Sequence, residues 1–549
     1  MSSITQGGPA AAPGPTPGFA RKASGLVRDF SQVDAWIYNM FAINIVLNVA
    51  LSYVLVTVTY PRASLWLSLV IAGVFCTFEA VVYAYFTTAM PRSGGDYVFQ
   101  SRVLGGGVAT LFAFTAVTIS QMIWMALAGW FGANLILSPF LLLLGAHYDV
   151  GWLRDAGAWF PTSVGIFVTG LACVAWSAFV NIRGLRLYAL LQRYVFWVGM
   201  ACLTVVLLAL LLTSKQDFIT NFNSFMSAHY HTQNAYALTI KHGGSANFAF
   251  SLKDTILASV IASFALIYPA WGVMQAGEIK RANSLQANVR AIVGAEVFSF
   301  VVVAIVAALL VSRVGHAFLY ASGQLFYGGG TGTNPLPVPP FFGFFVALLS
   351  SSALLTWVAF VMFLAWFVMW FPNITLGGTR VIIAMAFDRV LPEAMGKVNR
   401  RTHTPIAAIA VFSAGCVIAV VLYAFVHTFV SLTLGLLILN ITGFAATMVA
   451  AMVFPYRKRE MFESTVAAKH KLFGIPVMSL AAAVFLVFVV FVDYQALFAN
   501  ELALNGTDGL LFVFGCYAIS AIVYVSSKLY RRSKDNLDLS LVYRDLPSE

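Results

Sequence analysis

Long apolar stretches separated by short polar segments run along nearly the whole chain. Each stretch holds about 18 residues or more, enough at ~1.5 Å of rise per residue to cross a hydrocarbon layer of ~30 Å. The pattern predicts twelve membrane-spanning helices, which we number as spans 1 to 12: residues 34–58, 65–89, 108–137, 162–180, 188–213, 255–276, 291–313, 351–376, 405–427, 429–453, 474–492 and 509–527.

Apolar character runs with few breaks from residue 339 to residue 388, about twice the length that one crossing needs. We therefore predict a surface or re-entrant helix near residues 341–350, before span 8. Irregular backbone at membrane depth is typical of the gates and binding sites of transporters.

The composition agrees with a membrane protein. Of the 549 residues, 60% are hydrophobic and 10% are charged, whereas soluble domains carry ~25% charged residues. A soluble core cannot hold so much apolar surface, and a disordered or fibrous chain needs polarity or repeats that this sequence lacks. We expect an all-α polytopic membrane protein with one transmembrane domain, residues 31–527, between a flexible N-terminal tail, residues 1–30, and a C-terminal tail, residues 528–549.

The basic residues fall mainly on one side of the predicted membrane. If the N-terminus is inside, six of the 32 Lys and Arg residues face outside: Arg62, Arg154, Lys215, Lys241, Lys253 and Arg313. By the positive-inside rule, this asymmetry predicts that both termini are cytoplasmic. The net charge of +11 thus indicates orientation in a plasma membrane and no nucleic-acid partner.

Four short motifs stand at the ends of predicted spans, in this order along the chain: MPRSGGDYV at residues 90–98, NIRGLR at 181–186, GEIKRA at 277–282 and TRVIIAMAFDRVLP at 379–392. In the first, Pro91 stops a helix and a glycine pair turns the chain, as a compact loop requires. Together the four motifs resemble those of the amino acid, polyamine and organocation (APC) transporter superfamily, and the chain is identified as similar to its amino acid permeases.

The resemblance implies two inverted repeats of five helices, spans 1–5 and 6–10, followed by two additional helices. It also implies that spans 1 and 6 are broken near the membrane midplane, where substrate binds. Pro269 favours a break in span 6 near residues 268–271, because proline removes a backbone donor and clashes with the preceding turn. A simple proline kink is the alternative.

Span 1 departs from the family pattern. The family's paired glycines would fall at Ile45 and Leu47, and the chain has no glycine between Gly25 and Gly73. We still expect helical hydrogen bonding to be lost near residues 44–48, with amide side chains in place of backbone groups as substrate ligands.

The predicted substrate-binding residues lie on spans 1, 3 and 6: Asn44, Ile45, Asn48, Gln121, Trp124, Phe264, Tyr268 and Trp271. The two asparagines are four residues apart and share a helix face. The aromatic rings would suit an apolar or aromatic amino acid side chain, or a cation held against π-faces. Ordinary helix packing is the alternative reading of these residues.

Two carboxyl groups, those of Glu79 and Glu296, lie in the interior of predicted spans, where a charge is costly and therefore functional by default. Glu79 is twelve residues from Pro91, hence ~18 Å deep, and we expect it to act in proton coupling or gating, with Pro269 as a second gating residue. Glu296 is expected to pair with Arg290 near the inner surface. Sodium is the other candidate coupling ion, with oxygen ligands from Ser350, Ser351, Ser352, Thr356, Asn373 and Thr375.

We expect a secondary active transporter that moves an amino acid by alternating access and proton symport. The alternatives are a polyamine or organic-cation carrier and a solute sensor that does not transport, which an unbroken span 1 would support. The motifs of common enzyme classes are absent from the sequence, so we expect no catalytic residues, no cofactor and no metal site.

Overall fold

The computed structural model describes residues 25–244, 249–269, 271–328, 334–336, 338–426, 435–498, 506–544 and 546. The predicted tail residues 1–24 and 547–549, the predicted end of span 9 at 427 and the start of span 10 at 429–434 lie outside this set. Within it, eleven helices are long and apolar enough to cross a membrane, and the strands are one short antiparallel pair, β1 (Lys471–Leu472) and β2 (Ile475–Pro476). The chain is an all-α polytopic membrane protein, as predicted.

The first half of the chain contains α1 (Gln32–Ile43), α2 (Ile45–Thr59), α3 (Leu65–Ala89), α4 (Asp96–Val103), α5 (Gly106–Tyr148), α6 (Gly151–Trp159), α7 (Ser163–Arg183), α8 (Leu185–Leu212), α9 (Lys215–Tyr230), α10 (Ala235–His242), α11 (Leu252–Leu266) and a 3₁₀ segment (Trp271–Glu278). The second half contains α12 (Leu285–Val314), α13 (His316–Tyr327), α14 (Phe342–Ala347), α15 (Ala353–Phe387), α16 (Ile406–Phe425), α17 (Leu436–Arg457), α18 (Arg459–Glu463), α19 (Val477–Phe498) and α20 (Thr507–Lys534).

The eleven long helices correspond to eleven of the predicted spans, α1 and α2 together forming span 1. The remaining prediction, span 6, is divided between α11 and the 3₁₀ segment, and each piece is too short to cross alone. The short helix expected before span 8 is α14. The sequence did not reveal α13, which follows α12 directly, because the one residue between them, Gly315 (φ +93°), turns the chain without a polar loop.

Span 1 is broken at a single residue. Asn44 has left-handed backbone angles, φ 52° and ψ 77°, and its side chain accepts a hydrogen bond from Leu47 N at 3.3 Å, capping α2. Asparagine tolerates this conformation better than most residues. The helix resumes at once, since Asn48 N donates to Asn44 O at 2.8 Å. The predicted break is therefore confirmed at Asn44 and wrong for residues 45–48, which are helical.

Span 6 is broken where the sequence predicts. The α11 helix ends at Leu266, and Tyr268 and Pro269 lie outside any helix before the 3₁₀ segment begins at Trp271. The freed N–H of Gly272 donates to the Asn39 side chain of α1 at 2.7 Å. Asparagine side chains of span 1 thus supply partners for backbone groups at both breaks.

We call the side of the molecule that carries both described chain ends the terminus face. There, Phe30 pairs with the end of span 6, as Lys280 N donates to Phe30 O at 2.8 Å, and Arg531 of α20 donates to Arg389 O at 3.0 Å. The other side, the opposite face, carries α9, α10, α13 and α14. The broken helices meet between these two faces.

Candidate functional site

Two adjoining cavities, each with a volume of about 20 Å³, lie between the broken helices, α5 and α15. They share Ala42, Trp124, Tyr268 and Trp370. A cavity of this size holds about one water molecule, so a solute can bind here only when the lining side chains move apart. Its remaining lining residues are Ile43, Asn44, Leu47, Asn48, Leu51, Gln121, Phe131, Trp271, Asn373 and Ile374.

The structure brings most of the predicted site residues together. Six of them line the cavities: Asn44, Asn48, Gln121, Trp124, Tyr268 and Trp271. Phe264 lies behind the wall, with its ring centre 4.9 Å from that of Trp124. Ile45 is fully buried and is not among the lining residues.

Aromatic rings form one continuous wall of the site. Trp124 meets Trp370 edge-on at 5.7 Å and Tyr268 at 6.3 Å between ring centres. Tyr268 in turn meets Trp271 at 5.7 Å. These rings offer apolar surface and π-faces to a ligand.

A few polar groups interrupt this wall. Asn44 donates to Trp366 O at 3.3 Å, and Gln121 donates to the Asn440 side chain at 3.4 Å. The amide nitrogen of Asn48 is buried and has no hydrogen-bond partner among the described residues, so it is available to a ligand. No Asp, Glu, Lys, Arg or His is among the lining residues of these two cavities.

Two helix ends also point their dipoles into this region. The positive N-terminus of α2 begins beside Asn44, and the negative C-terminus of α11 ends shortly before Tyr268. Helix N-termini attract anions and C-termini attract cations. The arrangement can bind a small solute that carries a negative and a positive group.

The lining residues of α15 were not predicted to bind substrate. Trp370 was overlooked, and Asn373 was assigned to sodium; its carbonyl accepts from Trp271 Nε1 at 3.2 Å. The feature of the sequence that could have indicated these residues is Pro372, which removes one backbone hydrogen bond in the middle of an apolar helix. The carbonyl of Val368, four residues earlier, accepts instead from Trp176 Nε1 at 2.9 Å.

The residues proposed for sodium do not form one site. Ser352 caps the N-terminus of α15, and Asn373 lies 21 residues further along the same helix. The helix rise between them is ~31 Å. Thr356 contacts His147 at 3.4 Å, and Thr375 contacts Ser177 at 2.6 Å. The geometry therefore gives no support to a shared sodium site of these residues.

Ion pairs close the site toward the terminus face. Arg380 of α15 donates to both carboxyl oxygens of Glu278 at 2.6 and 2.8 Å. Arg102 of α4 does the same with Asp388 at 2.5 and 2.8 Å. All four side chains are buried. Three of the four belong to the sequence motifs at residues 277–282 and 379–392, so those motifs build the closure.

A third pair fixes the start of span 1. Arg193 of α8 donates to both carboxyl oxygens of Asp34 at 2.5 and 2.6 Å. Asp34 also completes the cap of α1, because its N–H donates to the Ser31 hydroxyl at 3.2 Å and its carboxylate accepts from Ser31 N at 2.9 Å. The helix that contains the break at Asn44 is thereby tied to a neighbour at its first turn.

On the opposite face, α13 covers the site. Tyr320 donates to Ala63 O at 2.5 Å, and Gln324 donates to Thr57 O at 2.8 Å. Gly323 lies so close to α2 that a Cβ there would stand 2.1 Å from the Thr57 hydroxyl. The cavities are thus covered from both sides.

Glu79 of α3 and Glu296 of α12 are fully buried, and neither carboxyl has a hydrogen-bond partner among the described residues. The expected pairing of Glu296 with Arg290 is wrong. Six residues on a helix place two side chains on different faces, and Arg290 lines a separate groove with Arg281 and Gln32.

Comparison with models of protein families gives a match over most of the chain. The model described as amino acid permease matches residues 36–523.

Proposed function

The chain belongs to the amino acid permease family, a family of membrane transporters, and from this membership we propose that it is a secondary active carrier that moves an amino acid by alternating access and proton symport. The observation that carries the proposal is the closed cavity where the broken helices meet. A carrier must pass through a state that is sealed on both sides, and the ion pairs and α13 provide the two seals.

The lining of the cavity favours an amino acid with an apolar or aromatic side chain. The N-terminus of α2 and the amide of Asn48 offer hydrogen-bond donors to a carboxylate, and the C-terminus of α11 offers carbonyl oxygens to an ammonium group. The rings of Trp124, Tyr268 and Trp370 would pack on the side chain. A charged side chain would find no opposite charge among the lining residues.

An organic amine is the second candidate substrate. The same rings could hold a cation by its attraction to their π-faces, and such binding needs no partner for a carboxylate. The break at Asn44 weighs against it, because an exposed helix N-terminus favours an anion. A solute sensor that does not transport would have been supported by an unbroken span 1, and span 1 is broken at Asn44.

Protons are the proposed coupling ion, and Glu79 is the proposed coupling residue. It lies in electrostatic range of Tyr268, which lines the cavity, so its charge can be felt at the site. The unwound residues around Pro269 would serve as the gating hinge. We propose further that the terminus face is cytoplasmic and that the protein acts in the plasma membrane.

The substrate class is tested by exchange in proteoliposomes loaded with unlabelled solute. A panel of labelled amino acids is compared with the amines that their decarboxylation would give. We expect exchange of apolar or aromatic amino acids and none of the matching amines. Exchange of the amines alone would establish the second candidate, and exchange of neither by folded protein would contradict both.

A further inference from the structure

We propose that Glu79 and Glu296 act as one carboxyl pair, which holds a single proton inside the membrane and releases it during transport. The inference rests on the proposed function, since only a carrier has a coupling proton to hold, and it adds Glu296 as a second coupling residue.

The register of two helices places the two carboxyls at one depth. Helices α3 and α12 run antiparallel, and Gly73 is so close to Phe300 that a Cβ would stand 2.3 Å from its ring. Further along, Asn288 donates to Thr88 at 2.9 Å. In an antiparallel pair the residue numbers at one level have a nearly constant sum, and Glu79 with Glu296 falls between these two contacts. The carboxyls therefore lie level, on the buried side of both helices.

The groups around the pair supply no positive charge. Among the described residues, those that interact electrostatically with one or both carboxyls are Cys76, Tyr83, Asp96 and Tyr268, and none of these is a cation. Titratable side chains on neighbouring elements lie at other depths than the pair. Phe75 stacks on Phe488 of α19, so Asp493 is ~13 Å nearer the opposite face than Glu79 by helix rise. Tyr85 contacts His470, which places His470 ~9 Å nearer the terminus face than Glu79.

Two ionised carboxylates at this place would be unstable. A buried charge without a counter-ion or hydrogen-bond donors costs several kcal/mol, and like charges side by side add to that cost. One proton shared between Glu79 and Glu296 removes the repulsion and leaves at most one charge. Interacting carboxyls then titrate as a unit and not as two separate residues.

Polar groups lie near the pair in two directions. Toward the cavity, Glu79 is within electrostatic range of Tyr268. Toward the terminus face, Tyr83 lies one turn from Glu79 on α3 and donates its hydroxyl to Asp96 at 2.6 Å. A proton that leaves Glu79 breaks its O–H bond and binds the Tyr83 oxygen, while Tyr83 passes its own proton to the Asp96 carboxylate. Burial raises the pKa of Asp96 to about 6, so Asp96 can release that proton near neutral pH.

The test compares E79Q, E296Q and the double variant with E460Q, in which the changed residue is exposed. Each is reconstituted and assayed for exchange without a gradient and for uptake driven by an inward proton gradient. We expect exchange to persist in all four. We expect gradient stimulation to fall at least tenfold in E79Q and E296Q, with the double variant no worse than either, and to be unchanged in E460Q. E296D, which keeps a carboxyl, should retain stimulation.

If E79Q loses stimulation and E296Q keeps it, the proton belongs to Glu79 alone and the pair is overturned while the carrier stands. If all variants keep it, neither residue couples. If wild-type protein exchanges amino acids without responding to the gradient, proton symport itself fails. Should E296Q not fold, E296D decides: a shifted pH profile of uptake supports the pair, and an unchanged profile overturns it.

Discussion

Asn44 interrupts a membrane helix without any glycine. Its left-handed backbone ends α1, and its side chain caps the helix that follows. Glycine adopts left-handed backbone angles at little cost but has no side chain to cap a helix. Asparagine can do both. The substitution of asparagine for glycine explains why span 1 breaks even though the family's paired glycines are absent.

Replacing Asn44 separates these two roles. We expect N44A to destabilise the protein by about 1–2 kcal/mol, because alanine is strained in this conformation and cannot cap α2. N44G should cost less, since it loses only the cap. Thermal unfolding in detergent measures both. Equal losses in the two variants would show that the backbone angle at Asn44 is not a constraint.

Trp124 stands where the two cavities join. We expect W124A to raise the KM for the amino acid at least about tenfold, which corresponds to ~1.4 kcal/mol of lost binding, with a smaller effect on the maximal rate. W66A is the matched control, because Trp66 is on the outer surface of α3, 42% exposed. Uptake kinetics give the comparison, and an unchanged KM in W124A would place the substrate elsewhere.

Asp96 makes stability depend on pH. Burial raises its pKa from 3.8 to about 6, so ionising it costs the folded state free energy that the unfolded chain does not lose. We expect the stability of D96N relative to wild type to grow as the pH rises from about 4 to about 6, and then to level off.

Asp217 provides the opposite control. It is exposed on α9, and a hydrogen bond from Ser214 lowers its pKa. D217N should therefore lose stability relative to wild type as the pH rises through about 4. Melting curves at about pH 3, pH 5 and pH 7 compare the variants, and a D96N advantage that does not change with pH would show that Asp96 is not the cause.

At the scale of helices, the sequence allows the breaks and lengths to be predicted because they follow from local chemistry. Pro269 interrupts span 6 by removing a donor, and apolar length marks the spans. The α13 cover could not be predicted, since one glycine joins it to α12 and no polar loop marks where it begins. Similarly, the proposed pairing of Glu79 with Glu296 depends on how α3 and α12, which are distant in sequence, pack against each other.

The ion pair between Glu278 and Arg380 joins span 6 to α15. Removing one partner leaves a buried charge, so R380A and E278A should each cost about 3–5 kcal/mol. The double variant should cost clearly less than the sum, because no uncompensated charge remains. Thermal unfolding of the four proteins completes the cycle, and simple additivity would contradict a direct pairing.

At the scale of the whole molecule, two different devices cover one cavity. Charged pairs close the terminus face, and these separate readily once water can reach them. Packed helices and backbone hydrogen bonds close the opposite face. Some of the basic residues that predict the orientation from sequence also form the ion pairs of the terminus face. Arg193 and Arg380 are examples.

Much of the site could be predicted as well, because its residues lie on the elements that the family motifs identify. Gln121, Trp124, Tyr268 and Trp271 come together as expected. Trp370 was missed although Pro372 marks its helix, and the proposed role of Glu296 beside Glu79 could not be predicted, since it depends on how α12 packs against α3. Long-range contacts of this kind leave no periodic signal in the sequence.

The most direct test of the account measures uptake of a labelled apolar amino acid into proteoliposomes while a dye reports internal pH. With an inward proton gradient, the account predicts accumulation of the amino acid above its external concentration, together with internal acidification that depends on the amino acid. Both should vanish when an uncoupler dissipates the gradient. Uptake that only equilibrates, with no movement of protons, would contradict proton-coupled transport by this chain.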